Sequence, residues 1–292
     1  MSASRSPARR SLNAVAAVMS VMALASCGSG GGGASTTAAA KANPYGLQQA
    51  GTLRVGTLTD APPNVYLKDG KFTGFDNDLF TAVAAKLKLK VEFVGTDFSA
   101  LLAQVKNKKF DLGSSSITIT DARKKTVDFT NGYDFGYFGL DVPACSDIKS
   151  FDQLKGKRVT VVQGTVQDDY ATKLGLNPIR VPDYNGALNQ LKAGTAQAWV
   201  SPAEIGEKSA KDSAGKIVLA AKQISSAPTA FAIAHGNPVF LKALNTALDA
   251  VIRDGTWTRL QDQYYPDRPV PTSFKPGSGN VVFPPLKAGT TS

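Results

Sequence analysis

Between Gly51 and Tyr265 the sequence switches repeatedly between two hydrophobic periods, and that alternation limits the fold more than any other feature. A short apolar run bounded by turn residues reads as a strand. An apolar stripe recurring every three to four residues reads as a helix. Leu53–Thr57 is expected to be a strand, followed by a loop at Asp60-Ala61-Pro62-Pro63 and a hairpin over Tyr66–Phe72. Leu79, Phe80, Val83, Ala84 and Leu87 fall on one helical face, with Asp76 as the expected N-cap. Val91–Val94 is a strand, Phe98–Lys106 a helix with Leu101, Leu102 and Val105 inward, and Phe110-Asp111-Leu112 enters a third strand. A second run of the same kind comes next. It has strands at Arg158–Val162, Ile179–Val181, Ala198–Val200, Ile217–Leu219 and Thr229–Ala234, and helices to about Leu174 and over Ala187–Ala193. Helices over Val239–Ile252 and Thr256–Tyr265 close the pattern. Such alternation is the signature of an α/β fold with a largely parallel sheet.

Two such units in tandem with a return segment imply two α/β lobes. Extended segments at Gly139–Pro143 and Ser225–Pro228 are the expected links, and two crossings make a hinge with a ligand cleft between the lobes. The expected division is residues 51–140 plus 228–268 for lobe 1 and 141–227 for lobe 2. Residues 269–292, rich in Pro, Gly and Ser, read as a loose tail. Open α/β sheets bind ligands beyond the carboxyl ends of their strands. In this chain that places Thr59–Pro63, Thr96–Phe98, Ser114–Arg123, Gln163–Gln167 and Ser201–Glu204 in the cleft.

One of these loops carries distinctive chemistry. Asp111–Thr130 reads DLGSSSITITDARKKTVDFT, with the hydroxyls of Ser114, Ser115, Ser116, Thr118 and Thr120 just ahead of Arg123. A guanidinium offers a planar fork of donors, and short hydroxyls and free backbone N–H groups fill the remaining lone pairs of a carboxylate. The same residues also read as an ordinary helix start, with Asp121 as cap and Arg123-Lys124-Lys125 as a solvated basic turn. Gly164-Thr165-Val166 at the start of a helix offers free N–H groups to an anion. It reads equally as a strand-to-helix turn.

The chain has 33 Lys plus Arg against 23 Asp plus Glu, a net charge of +10. Three of those positives, Arg5, Arg9 and Arg10, precede an apolar run, LNAVAAVMSVMALA, that ends in Ser26-Cys27. The run is short for a membrane span and reads as the core of a targeting segment over residues 1–26. Gly, Ser, Thr and Ala dominate the next stretch, so residues 27–50 read as a flexible tether. The other basic residues are scattered and form no stripe interleaved with aromatics, which argues against nucleic acid as a partner. The only other cysteine, Cys145, reads as a free thiol, and the lone histidine, His235, as a strand-end residue. A single histidine excludes a His-rich metal site, and no metal or cofactor is expected.

Leu24-Ala25-Ser26-Cys27 resembles the bacterial lipobox, which implies lipidation of Cys27. LRVGT, GFDNDL, TDF, the Asp111–Thr130 stretch, LKGKRVTVVQGT and ALDAVIRDGTW occur in one order across residues 51–265. Together they resemble the amino-acid-binding solute-binding proteins of bacterial ABC importers, family 3, with the type II periplasmic-binding-protein fold. The resemblance implies an extracytoplasmic, lipid-anchored monomer that closes on an amino acid or related small carboxylate and delivers it to permease subunits without covalent chemistry. It places the carboxylate on Arg123 and Thr118, and an ammonium group on the carbonyl of Ser116. It also implies a backbone N–H from Val166, next to Thr165, and an aromatic wall from Phe98. Two departures stand out. Ala61 replaces an aromatic of the first loop, and no acid stands at Ser201 or Pro202, where the family has one for the ammonium. Either Glu204 or Asp60 substitutes, or the ligand lacks an ordinary α-ammonium. The same two acids would serve an enzyme on this fold, a cyclohexadienyl-type dehydratase, which is the alternative reading.

Overall fold

The computed structural model describes residues 43–225, 227–271 and 274–277. The targeting segment, Cys27, most of the expected tether and residues 278–292 lie outside the described residues. In chain order the first half comprises β1 (Thr52–Thr57), β2 (Asp60–Ala61), β3 (Val65–Lys68), β4 (Lys71–Thr73), α1 (Phe75–Lys86), β5 (Lys90–Gly95), α2 (Phe98–Lys106), β6 (Leu112–Thr118), α3 (Asp121–Lys124) and β7 (Asp128–Phe129). The second half comprises β8 (Tyr137–Pro143), β9 (Val159–Val162), α4 (Val166–Lys173), β10 (Ile179–Val181), α5 (Tyr184–Lys192), β11 (Ala198–Pro202), α6 (Ala203–Asp212), β12 (Ile217–Ile224), β13 (Thr229–Ile233), α7 (Pro238–Arg253) and α8 (Thr256–Tyr264).

Two five-stranded sheets carry these elements, in the orders β5-β1-β6-β13-β7 and β10-β9-β11-β8-β12, beside a small β2-β3-β4 hairpin sheet. In the first, β5, β1 and β6 run parallel and β13 returns antiparallel to β6 and β7. In the second, β10, β9 and β11 run parallel, and β8 lies antiparallel to both β11 and β12. The chain therefore leaves the first sheet after β7 and re-enters it at β13. This is the expected pair of lobes with a double crossing.

Burial explains why each element forms. Leu53 and Val55 of β1 are fully buried, and Gly56 lets α2 and Phe110 approach: a Cβ there would lie 2.8 Å from Leu101 Cδ1 and 2.4 Å from the Phe110 ring. Helix α7 starts with Asn237 accepting from the Phe240 amide at 3.1 Å and with Pro238 in its first turn. It then buries Phe240, Leu244, Ala247, Leu248 and Val251 against α1 and α8. Each such Leu or Phe contributes about 1.5–3 kcal/mol.

The structure corrects several expectations. Gly139–Pro143 is not a linker. It is part of β8, which lies between β11 and β12, so Tyr137–Leu140 sit in the second sheet and the crossing precedes Tyr137. Residues 43–50 are not a free tether: Leu47 is buried in the first core, and Asn237 Nδ2 donates to the Tyr45 carbonyl at 2.7 Å. Phe274, assigned to the loose tail, is buried against Phe135, with ring centroids 4.9 Å apart. Neither Asp76 nor Asp121 caps a helix. Gly74 precedes α1, at φ 112° and with no room for a Cβ beside the Asn64 carbonyl, and Thr120 caps α3 by accepting from the Arg123 amide. His235 lies two residues beyond the end of β13 and pairs with Asp128 at 2.8 Å, and Cys145 is free and exposed.

Asp141 is a buried acid inside the second lobe. It accepts from Ser201 Oγ at 2.5 Å, and its other oxygen has no partner. Burial pushes its pKa up to about 7 against the lesser opposing effect of the Ser201 bond, so the folded protein holds a proton there that the unfolded chain releases near pH 4. This group's contribution to stability is complete below pH 4, declines as pH rises and is gone above about 7. We expect Asp141→Asn to flatten that decline. Urea midpoints at pH 5 and pH 8 should lie closer together in the variant than in the wild type, where Asp76 also contributes, and a variant with the wild-type pH dependence would show that Asp141 does not titrate in this window.

Candidate functional site

The first sheet's strand ends build one wall of a cavity between the lobes. Strand β6 runs LGSSSIT and carries an irregularity against β13: Ile117 faces Ala230 and Gly113 faces Ala232, so Ser114–Ser116 oppose Phe231 alone. Ser116 takes φ 46° inside this bulge, an unusual conformation for a residue other than glycine. Its hydroxyl donates to Asp76 Oδ2 at 2.5 Å and accepts from Asn64 Nδ2 at 2.9 Å. Tyr133 also donates to Asp76. Burial raises the Asp76 pKa to about 7, against the opposing effect of these two hydrogen bonds. Ser115 accepts from the Leu58 amide at 3.0 Å. The serine run thus locks the bulge to the first loop.

Beyond β6, Thr120 caps the short helix α3 and turns Arg123 back toward the strand end. Arg123 is 9% exposed; Nη1 donates to the Thr118 carbonyl at 2.8 Å and Nη2 to the Gly164 carbonyl of the other lobe at 3.1 Å. Its guanidinium lies 5.1 Å from the centre of the Phe98 ring. Burial pulls its pKa down to about 10, and it remains charged at neutral pH.

The second lobe presents the start of α4. Thr165 caps it, accepting from the Asp168 amide at 3.2 Å and donating to the Val162 carbonyl at 2.7 Å. The amides of Val166 and Gln167, in the first turn, lack partners within the helix, and the helix dipole adds partial positive charge there. The start of α6 presents Glu204.

Phe98, Ser116, Thr118, Arg123, Thr165, Val166 and Glu204 all line this one cavity, together with Asp134 and Tyr184. Asp60 does not. It lines a separate groove, where its Oδ2 accepts from the Asn185 amide of the second lobe at 2.8 Å. The expectation that Asp60 serves a ligand is therefore corrected: it ties the lobes together at the rim. Burial raises its pKa, an effect that hydrogen bonding to the Asn185 amide opposes. We expect Asp60→Ala to weaken every ligand alike by a factor of about 2–10, the net worth of one hydrogen bond made only with the lobes together. Calorimetry on two ligands checks this, and a loss confined to one of them would restore Asp60 to ligand contact.

Glu204 is present but already engaged. Arg268 Nη1 lies 3.4 Å from Glu204 Oε1, and Arg268 Nη2 lies 2.6 Å from Asp134 Oδ1. Arg268 also donates to the Phe135 carbonyl at 3.1 Å and to Gln261 Oε1 at 2.8 Å. Its guanidinium stacks 3.8 Å from the Tyr265 ring centre. All three charged side chains are at most 4% exposed. Burial raises the pKa of both acids and Arg268 opposes that rise; burial works against the charge of Arg268, and the two acids outweigh it. Sequence reasoning missed Asp134 and Arg268. Neither lies in a periodic segment, and the residues after Tyr265 look like a tail.

The signature of the bacterial extracellular solute-binding proteins, family 3, matches residues 53–267. The chain belongs to that family. A probable amino-acid-binding protein of Bacillus subtilis (strain 168) is 30% identical over 260 residues, covering 86% of this chain and 92% of its own. An ancestral arginine-binding protein solved with glutamine bound is 32% identical, with a TM-score of 0.72 over 75% of this chain and 99% of that one. An ancestral amino acid-binding protein described as a precursor of cyclohexadienyl dehydratase is also 32% identical, with a TM-score of 0.67 over 74% and 96% of the two chains. These likenesses carry the type II periplasmic-binding-protein fold. The family 3 proteins are extracytoplasmic, and among the described residues no helix is long and apolar enough to cross a membrane.

Proposed function

We propose that the chain is the receptor of an ABC importer, that it closes its two lobes on an amino acid, and that it hands this solute to membrane permease subunits. The observation that carries this reading is the pairing across the cavity of Arg123 and Thr118 with the start of α4. A carboxylate lying between them meets a guanidinium fork from one lobe and backbone amides of Val166 and Gln167 from the other. The interaction is complete only with the lobes together, so binding and closure are one event. The carbonyl of Ser116, in the bulge, serves the ammonium, and Phe98 serves the ligand's stem.

Binding without catalysis is the supported reading. A dehydratase needs an acid and a base poised in one cleft. Asp60 lies outside the cavity and Glu204 is held by Arg268. Cys27 is the lipid anchor in this reading, and the receptor acts as a monomer. Titration calorimetry of the purified mature chain against the amino acids tests the reading: saturable one-to-one binding by at least one of them is expected, and no binding by any would overturn it. Intact mass of the chain isolated from its own membrane decides the anchor, since a diacylglycerol adduct on Cys27 is expected and its absence would refute it.

A further inference from the structure

The charges that face the cavity do not match those that surround it. Among the described residues, the charged side chains lining it are Arg123 on one side and Asp134 with Glu204 on the other. Counted alone, they carry one excess negative charge, which would suit a ligand with two cationic groups. Arg268 changes that sum. It does not line the cavity, yet it lies against both acids, at 2.6 and 3.4 Å, and its side chain is only 3% exposed. Its charge is fixed in place by the rings of Phe135 and Tyr265 and by Gln261. Asp76 adds no cavity-facing carboxylate, since its two oxygens accept from Ser116 and Tyr133.

We infer that Arg268 is a specificity-determining residue. It neutralises one of the two cavity acids and thereby sets the site for an amino acid whose side chain is uncharged. The inference rests on the amino-acid reading given above and narrows it. A zwitterion with a neutral side chain places its carboxylate against Arg123 and leaves a single positive group for the one unbalanced acid. A dibasic amino acid brings a second cation, and the acid that would receive it is held by Arg268. An acidic amino acid brings a second carboxylate, and Arg123 is the only cation lining the cavity among the described residues. Desolvating an unmatched charge in a closed cavity is costly enough for strong discrimination. What remains for the side chain is apolar or neutral wall, including Leu58, Val65, Tyr137 and Phe138.

The test is calorimetry of the mature chain with L-glutamine, L-leucine, L-arginine, L-lysine and L-glutamate. At least one of the two neutral ligands should bind tenfold or more tighter than each charged one. Arginine or lysine binding as tightly as the better neutral ligand would overturn the inference while leaving the amino-acid reading standing. Absence of binding by all five overturns the inference, and the reading beneath it falls as well only if the remaining amino acids also fail to bind. Two variants then address Arg268 itself. Arg268→Met should raise the affinity ratio of arginine to glutamine at least tenfold. Glu204→Gln, which removes an acid and keeps the guanidinium, should raise the ratio of glutamate to glutamine by a similar factor. Circular dichroism establishes that each variant is folded, and if Arg268→Met is not, Glu204→Gln decides. Unchanged ratios in a folded variant would show that Arg268 and its acids form a purely structural cluster.

Discussion

Arg123→Ala is expected to lower amino-acid affinity by about 100-fold or more, the usual consequence of deleting one partner of a buried charge-assisted contact. The loss has two parts. The guanidinium supplies the paired donors that a carboxylate needs, and its Nη2 also crosses to the Gly164 carbonyl of the other lobe at 3.1 Å. The variant therefore loses both a ligand contact and a closure contact. Stability should change little by comparison. Burial already pulls the Arg123 pKa down to about 10, so the protein bears a cost for holding this charge, and alanine relieves it. Arg123→Lys separates charge from geometry. It keeps the cation but loses the planar fork, and it is expected to fall between wild type and alanine. Calorimetry with parallel thermal melts reads both quantities, and an alanine variant that melts far below wild type would mean that Arg123 is chiefly structural.

The second large effect is on stability. Arg268→Ala costs about 3–5 kcal/mol, because it strands Asp134 and Glu204 without their counter-charge. In a chain of this size that lowers Tm by roughly 10 °C. The cluster links the lobes: Glu204 opens α6 of the second, Arg268 follows α8 of the first, and Asp134 lies in the crossing between the sheets. The control is neutralisation of all three. Asp134→Asn and Glu204→Gln combined with Arg268→Met should recover much of the loss, since removing a buried ionic set whole is far less costly than breaking it. If the single variant melts with wild type, the ion pairs contribute nothing to the fold.

Much of this architecture was legible in the sequence, for physical reasons that differ by element. Phe98–Lys106 and Ile179–Val181 carry clean periods and turn residues at both ends, and both form as expected. Strand β8 was misread because it is covered on both faces: Phe138, Leu140, Asp141 and Val142 are all buried, so no alternation marks it. The nearness of Arg123 to Thr118 could be read because the two lie five residues apart, and Arg123 Nη1 does donate to the Thr118 carbonyl. The Arg268 cluster could not, because its members lie 64 and 134 positions from Arg268 and only the tertiary fold joins them. Asp76 shows the opposite error. Its position suits a helix cap, yet its carboxylate is turned inward to Ser116 and Tyr133.

The central claim is that this cavity grips a carboxylate through Arg123. The most direct test is calorimetry of the best-binding amino acid beside its α-amide, which differs only in losing the carboxylate charge. The account predicts at least a 100-fold weaker affinity for the amide, with the difference largely abolished in Arg123→Ala. Equal affinity for acid and amide in the wild-type protein would contradict it.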